Sequence, residues 1–313
     1  MLSLGIQYTP RTWKAVLWDE DRAADLHAFP HAGAVWEFLT DLLAAHPATP
    51  AVLPSGFGIP VTRARDLLDR DILEMRLGPD ADGEDELGPF LAEARRRLPR
   101  AFCIPAVKLL PSVPPHRKCN RLDLGTADAL CAAAWALHSL ERTGRPAAAA
   151  TFLLAHLGAG GRDLLAIVEG RVVDGVGRTA PGMGTPSPTI YQALLAARGV
   201  TLERHRARRG WAAADCDAPA APPPAAFWEG VEKECHALCA YHALGELIVT
   251  GERRREAIEA LTSRLPCATL PSGADGYEGA LGAAVIAAGL TGGPAASVVD
   301  RLGVREARDR VLD

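Results

Sequence analysis

His116-Arg117-Lys118-Cys119-Asn120-Arg121-Leu122-Asp123-Leu124-Gly125-Thr126-Ala127-Asp128 stands near the middle of the chain, between a Pro-rich extended segment, Leu109–Arg117, and a long helical run, Leu122–Leu140. Cations, an amide and two carboxylates crowd the entrance to an apolar helix, for which Asp123 and Thr126 are both candidate N-caps. Asp123 and Asp128 have the chemistry of a base, of magnesium ligands or of partners for the neighbouring arginines. A cap with surface ion pairs would use the same residues.

On the N-terminal side of this stretch, strands and helices alternate. Leu2–Gln7 and Trp13–Asp19 read as a strand hairpin around the turn Tyr8-Thr9-Pro10-Arg11-Thr12, and Asp25–Phe29 as a third strand. Val35, Leu39, Leu42 and Leu43 place one apolar face on a helix over Gly33–Ala45. Ala51–Leu53 reads as a buried strand, Gly78–Glu86 as an acidic loop, Leu87–Leu98 as a helix and Ala101–Ile104 as a strand. The C-terminal side opens the same way. Strands are expected over Ala150–Leu157, Leu164–Glu169 and Arg171–Val176, with Glu169-Gly170 as a hairpin turn. A helix over Thr185–Ala197, a long loop over Arg204–Ala226, a helix over Phe227–Leu244, a strand over Leu247–Thr250 and helices over Arg253–Arg264 and Ala280–Ala288 follow. A hairpin opening each half, then alternating strands and helices, predicts packed α/β layers.

Other segments carry candidate chemistry. At the first hairpin turn, Thr9, Arg11, Thr12 and Lys14 bring hydroxyls, amides and cations together, as a phosphate cradle or an ordinary solvated tip would. Gly158-Ala159-Gly160-Gly161 directly follows an apolar strand, and glycines let a backbone approach a ligand closely. Glu246–Gly251 followed by Glu252–Arg255 is a buried strand ending at a helix start, a place where a base or ribose lodges. Cys235, Cys239 and His242 share a helical face, but no fourth ligand lies nearby and Cys packs as a small hydrophobe.

The bulk properties narrow the field. At 313 residues with 48% apolar content, the chain can build two ordinary domains, each with its own core. A formal charge of −4 argues against a nucleic-acid binder or a membrane-surface protein. No stretch approaches ~18 uninterrupted apolar residues, and Met1–Ile6 is too short for a signal peptide. Seven scattered cysteines fit reduced thiols in a cytosol. The expected partner is a small-molecule substrate rather than a nucleic acid or membrane, with a homodimer left open.

Taken together, Val52–Pro60 and Pro114–Asp128, supported by Leu157–Gly160 and Gly279–Gly289, resemble the actin-like ATPase and acetate/sugar kinase superfamily. Within it they look most like the domain of unknown function 1464 family, often labelled predicted butyrate kinases. The resemblance implies an α/β protein of two lobes in the ribonuclease H-like, actin-like ATPase fold. One lobe would span residues 1–140, completed by 280–313, and the other 150–279. ATP with magnesium would lie in the cleft between them. Thr9, Arg11, Thr12 and Lys14 would serve the first phosphate loop, Gly158, Ala159, Gly160 and Gly161 the second, and Gly251 would face the adenosine. Leu122–Leu140 and Gly279–Gly289 would be the hinge-crossing helices. An acceptor would lie near Arg117, Asn120, Arg121 and Asp128, with Asp123 and Asp128 as metal ligands.

Two departures matter. The first loop of the superfamily usually opens Gly-Ile-Asp, but here it reads Gly5-Ile6-Gln7. The second usually places an acid before its glycines, but here His156 stands there. Neither Gln7 nor His156 suits a magnesium ion, which prefers oxygen anions. The sequence therefore supports two functions. One is an ATP-dependent phosphotransferase, on a short carboxylate held by arginines or on a hydroxyl activated by an aspartate. The other is a degenerate nucleotide-binding regulator with little turnover.

Overall fold

The computed structural model describes residues 2–9, 12–19, 24–76, 86–119, 121–158, 161–178, 224–262, 265–268, 270 and 275–311. The helices expected over Thr185–Ala197 and the loop expected over Arg204–Ala226 lie outside these residues, except for the last three of the loop.

The first sheet contains β1 (Ser3–Thr9), β2 (Thr12–Trp18), β3 (Asp25–Phe29), β4 (Ala51–Val52), β5 (Gly58–Arg63) and β6 (Ala101–Pro105), in the order β3-β2-β1-β4-β6-β5. β1, β4 and β6 are parallel, whereas β1–β2, β2–β3 and β5–β6 are antiparallel. The second sheet contains β7 (Phe152–Gly158), β8 (Gly161–Val168), β9 (Arg171–Val176), β10 (Leu247–Thr250) and β11 (Cys267–Ala268), in the order β11-β10-β7-β8-β9. Both sheets thus begin with a three-stranded antiparallel meander and continue with parallel strands from its first member.

Helices α1 (Ala32–Ala45), α2 (Asp69–Met75) and α3 (Leu87–Arg97) belong to the first half, and the short α4 (Pro115–Lys118) leads into α5 (Ala127–Arg142). The second half carries α6 (Pro224–His242), α7 (Arg254–Leu261), α8 (Glu278–Leu290) and α9 (Ala296–Arg301). None of the helices among the described residues is long and apolar enough to cross a membrane.

The centre is four layers deep. α8 packs on β1, β2 and β4, α5 packs on β7 and β8, and the two helices pack on each other. Their composition explains this position. α8 is apolar on every side, the mark of a helix with no solvent face, and it is buried from Glu278 to Gly289. Alanines in both helices keep the axes close. A Cβ on Gly282 would come within 1.6 Å of the Cys131 carbonyl oxygen, so only glycine fits there. Leu130, Leu137 and Ile286 fill the seam, each contributing about 2 kcal/mol of apolar burial. A separate apolar cluster lies under α1 and α3 on the outer face of the first sheet, and another under α6 and α7 on the outer face of the second.

Two expectations need correction. The central helix starts at Ala127, not Leu122, because Gly125 adopts φ +135° and breaks the helical path, and Thr126 is its cap. The loop expected up to Ala226 ends earlier, because α6 begins with Pro224, a residue suited to the first helical turn.

Candidate functional site

The hairpins that open the two halves share one register. β1–β2 closes on the pair Thr9–Thr12, and β7–β8 on the pair Gly158–Gly161. Two residues further from each turn stand Gln7 opposite Lys14 and His156 opposite Asp163. Strand alternation puts residues two apart on the same face. Gly5 and Gln7 accordingly meet α8, where added Cβ atoms at Gly5 and Gly279 would strike Ala280 and Gln7. These four side chains are all buried.

Their surroundings differ. Lys14 reaches to the second sheet, where its Nζ lies 2.5 Å from Glu252 Oε1, donates to the Gly276 carbonyl at 2.7 Å and sits 5.2 Å from the Tyr277 ring centroid. Gln7 Oε1 accepts no hydrogen bond from the described residues. Asp163 is fully buried and accepts from Thr126 Oγ1 at 2.7 Å, the Arg178 backbone N–H at 3.2 Å and Arg178 Nη2 at 3.1 Å. Burial works against the Arg178 charge, but Asp163, Asp128 and Asp123 outweigh it and keep the guanidinium protonated. His156 Nδ1 lies 3.1 Å from Thr250 Oγ1. Burial pushes His156 down to about 4, with Asp163 opposing and Arg178 and Lys14 assisting, so the imidazole is neutral at pH 7.

Two helix N-termini complete the cluster. Gly125-Thr126-Ala127-Asp128-Ala129-Leu130 begins α5, and Gly276-Tyr277-Glu278-Gly279-Ala280-Leu281 begins α8. Gly125 and Gly276 both have positive φ, and each turns the chain into its helix. Helix N-termini favour anions through unpaired N–H groups and the aligned peptide dipoles. Asp128, in the first turn of α5, is half-buried and takes no hydrogen bond from the described residues. Burial pushes it up to about 6, with Asp163 adding to the rise and Arg178 and Lys14 opposing it. Glu278 is 1% exposed and accepts from the Gly251 N–H through Oε2 at 3.2 Å. Its Oε1 has no hydrogen bond, with Arg254 Nη1 3.8 Å away, and burial raises its pKa.

The sequence pattern of the DUF1464 family, described as a protein of unknown function, matches residues 33–313. The chain belongs to the DUF1464 family. Comparison with curated proteins finds no match. Among solved structures, this DUF1464 protein is similar to acetate kinase from Entamoeba histolytica, at 12% identity over 84% of this chain and 85% of that one, with a TM-score of 0.58. Inorganic polyphosphate/ATP-glucomannokinase from Arthrobacter sp. strain KM matches at 18% identity over 92% and 98%, with a TM-score of 0.47. A ROK family glucokinase from Streptomyces griseus, in complex with glucose and AMPPNP, matches at 15% over 91% and 98%, with a TM-score of 0.45. The acetate kinase likeness shows the fold: mixed α/β with two mixed sheets, the fold of actin-like ATPases and sugar kinases.

Within this DUF1464 fold the candidate residues separate into groups. Thr9, Thr12, Gly158 and Gly161 close the paired hairpins, and Lys14 and Asp128 join the charged cluster. Thr9 Oγ1 donates to the Thr12 carbonyl and Thr12 Oγ1 to the Phe29 carbonyl. Gly251 follows β10 at φ +94°, against the Leu157 backbone, and its N–H binds Glu278. Asp123 is buried, accepts from the Gly125 N–H at 2.6 Å and packs on Gly177, which shapes the loop into α5. Arg117 turns away to β9, donating to the Val173 carbonyl at 2.7 Å, with Asp174 at 3.5 Å and Tyr241 against its guanidinium. Arg121 is exposed on the same loop. Arg11, Asn120, Ala159 and Gly160 lie outside the described residues.

Sequence reading named Glu252 only as the start of the Glu252–Arg255 segment and passed over Asp163, Arg178 and Glu278. Arg162-Asp163 was a usable signal, because a charged pair at the head of an apolar strand must find partners. Arg162 forms an ion pair with Glu234, and Asp163 holds Thr126 and Arg178. Arg178 carries no local signal. In the Cys235, Cys239 and His242 group, burial raises both thiol pKa values and His242 pairs with Asp174 at 3.1 Å.

No three His, Cys, Asp or Glu side chains group as a metal cage among the described residues. Magnesium bound to a nucleotide needs only one or two protein carboxylates and keeps several waters. The Asp128 carboxylate, which takes no hydrogen bond from the described residues, and Glu278 Oε1, with Arg254 3.8 Å away, fit that requirement. A cavity of about 930 Å³ lies elsewhere, at the opposite end of the first sheet, beside Leu2, Arg63, Arg100 and Phe102.

Proposed function

We propose that this protein is an ATP-dependent phosphotransferase acting on a small molecule, with a polyphosphate gripped between the paired hairpins and the start of α5. The observation that carries this is Asp128: a half-buried carboxylate that takes no hydrogen bond from the described residues, raised to about 6 by burial and acted on by the charges of Arg178 and Lys14. Bound magnesium-ATP would supply the phosphoryl group, with Glu278 offering a carboxylate to the metal and Asp128 left to act on the acceptor. Lys14, Arg178 and the α5 N-terminus supply positive charge for phosphate oxygens, the main requirement of phosphoryl transfer.

Asp128 favours a hydroxyl acceptor. A general base works best when its pKa lies near the operating pH. A short carboxylate such as butyrate is already ionised and needs no base. Of its expected holders, Arg117 is engaged by Val173 and Asp174, whereas Arg121 is exposed. A low-turnover nucleotide-binding protein remains the second reading, favoured by the neutral Gln7 and by the occupied Lys14.

The test measures acceptor-dependent ADP release with magnesium-ATP and a panel of polyols, sugars and short acids. Turnover on a hydroxyl acceptor should fall about 10²- to 10⁴-fold in Asp128→Asn, while the melting temperature at neutral pH rises because a buried charge is removed. Wild-type turnover should also rise with pH through about 6 as the base loses its proton. Turnover on carboxylates alone, indifferent to Asp128→Asn, would defeat the hydroxyl assignment. ATP binding without turnover on any acceptor would favour the second reading.

A further inference from the structure

Lys14 is a buried lysine whose ammonium is fully engaged. Of its three donors, one goes to Glu252 at 2.5 Å and one to the Gly276 carbonyl at 2.7 Å, and the Tyr277 ring stands beside the head group. All three partners come from segments outside the first sheet: Glu252 directly follows β10, and Gly276-Tyr277 leads into α8. Lys14 is 7% exposed, whereas the Glu252 side chain keeps 27% of its surface in solvent. The carboxylate is therefore the member of the pair that an incoming solute can reach. It meets Lys14 on the hairpin position equivalent to Asp163 in the other half.

We propose that Glu252 is a specificity-determining residue that holds on Lys14 the place of a phosphate oxygen and admits only anions able to displace it. Exchanging one oxyanion for another on the same ammonium gains little by itself. A ligand gains on exchange only if its remaining charges reach other donors at the same time, and Arg178 and the α5 N-terminus are those donors. A chain of phosphates meets that condition, whereas a lone phosphate group does not. Glu252 thereby sets a threshold of ligand charge for entry to the cleft. The choice of ATP as the natural ligand rests on the phosphotransferase reading, but the exchange on Lys14 does not.

The experiment measures binding of ATP, AMP, inorganic tripolyphosphate and inorganic phosphate to the full chain by calorimetry, in wild type, Glu252→Gln and Glu252→Asp. The aspartate variant is one methylene too short for the present contact and serves if the glutamine variant folds poorly. Both variants should bind all four anions more tightly by a similar factor, about tenfold, so that AMP and phosphate, too weak to displace Glu252 measurably in wild type, come within range. Unchanged affinities, or a loss of affinity for every ligand, would mean that Glu252 only braces the structure. Binding of tripolyphosphate but not ATP, with the affinity still raised in the Glu252 variants, would support the exchange and sink the nucleotide. Binding of ATP with an affinity indifferent to Glu252 would do the reverse. Binding of none of the four anions by any of these proteins would overturn both.

Discussion

The hairpin of β1 and β2 and the hairpin of β7 and β8 have the same register and strand order, yet they carry opposite charges at matched positions. Lys14 looks outward from its own sheet and finds its partner on the other, 238 positions away. Asp163 is sealed between Arg178 and Thr126, with no exposed surface. One duplicated frame thus holds an exchangeable cation on one side and a fixed anion on the other. The neighbours confirm the contrast: Gln7 is neutral with a free acceptor atom, and His156 is neutral because burial strips its proton. Symmetry of backbone does not impose symmetry of chemistry. Each hairpin's charge follows from what the adjacent helix entrance supplies.

Breaking the fixed side should do the most damage. Asp163→Ala leaves Arg178 without its buried partner and removes the acceptor of the Thr126 hydroxyl at the α5 cap. A loss of about 3–5 kcal/mol is expected, read as the shift in urea midpoint, whereas Lys14→Met should lose distinctly less because Glu252 can return to solvent.

Acid should expose the same side next. His156 titrates near 4 in the fold and near 6.5 unfolded, so the unfolded chain binds the extra proton between those values. Its contribution is present above pH 6.5 and disappears as pH falls toward 4, about 3 kcal/mol in all. His138, also pushed down to about 4 by burial, acts in the same direction. Asp128 opposes them, because its raised value favours the protonated fold, and its contribution fades as pH rises through about 6. Urea melts at pH 7 and pH 4.5 should show a net acid loss, most of which disappears in His156→Gln.

The subtlest test replaces each of the two neutral residues with an aspartate. His156→Asp sets a carboxylate opposite buried Asp163 and should cost about 2 kcal/mol. Gln7→Asp sets one opposite Lys14 and should shift stability by less than about 1 kcal/mol. Equal effects at the two sites in thermal melts would erase the distinction.

Local pattern made the frame readable. Apolar runs around polar turns marked both hairpins, and the Ala-rich runs marked α5 and α8, because those signals depend only on neighbours in the chain. β5 escaped because Gly58-Ile59-Pro60-Val61-Thr62-Arg63 contains a proline, which an edge strand with an irregular register tolerates. α2 escaped because its buried Asp71 and Glu74 look like surface residues until Arg310 arrives from the far end of the chain to pair with both. The turns and the charges of Lys14 and Asp128, which the structure brings together, were visible in the sequence. Asp163, Glu252 and Glu278 meet their partners Thr126, Lys14 and Gly251 only across 37, 238 and 27 positions. Arg117, in the same local cluster as Asp128, is directed instead to the Val173 carbonyl.

The bare contact between Gly282 and Cys131 has a mechanical consequence. Where main chain rests on main chain, there are no side chains to reshuffle and no slack to take up. At that point the spacing of α5 and α8 is set by backbone alone, and even one methyl group at Gly282 would meet the Cys131 carbonyl and force the two helices apart.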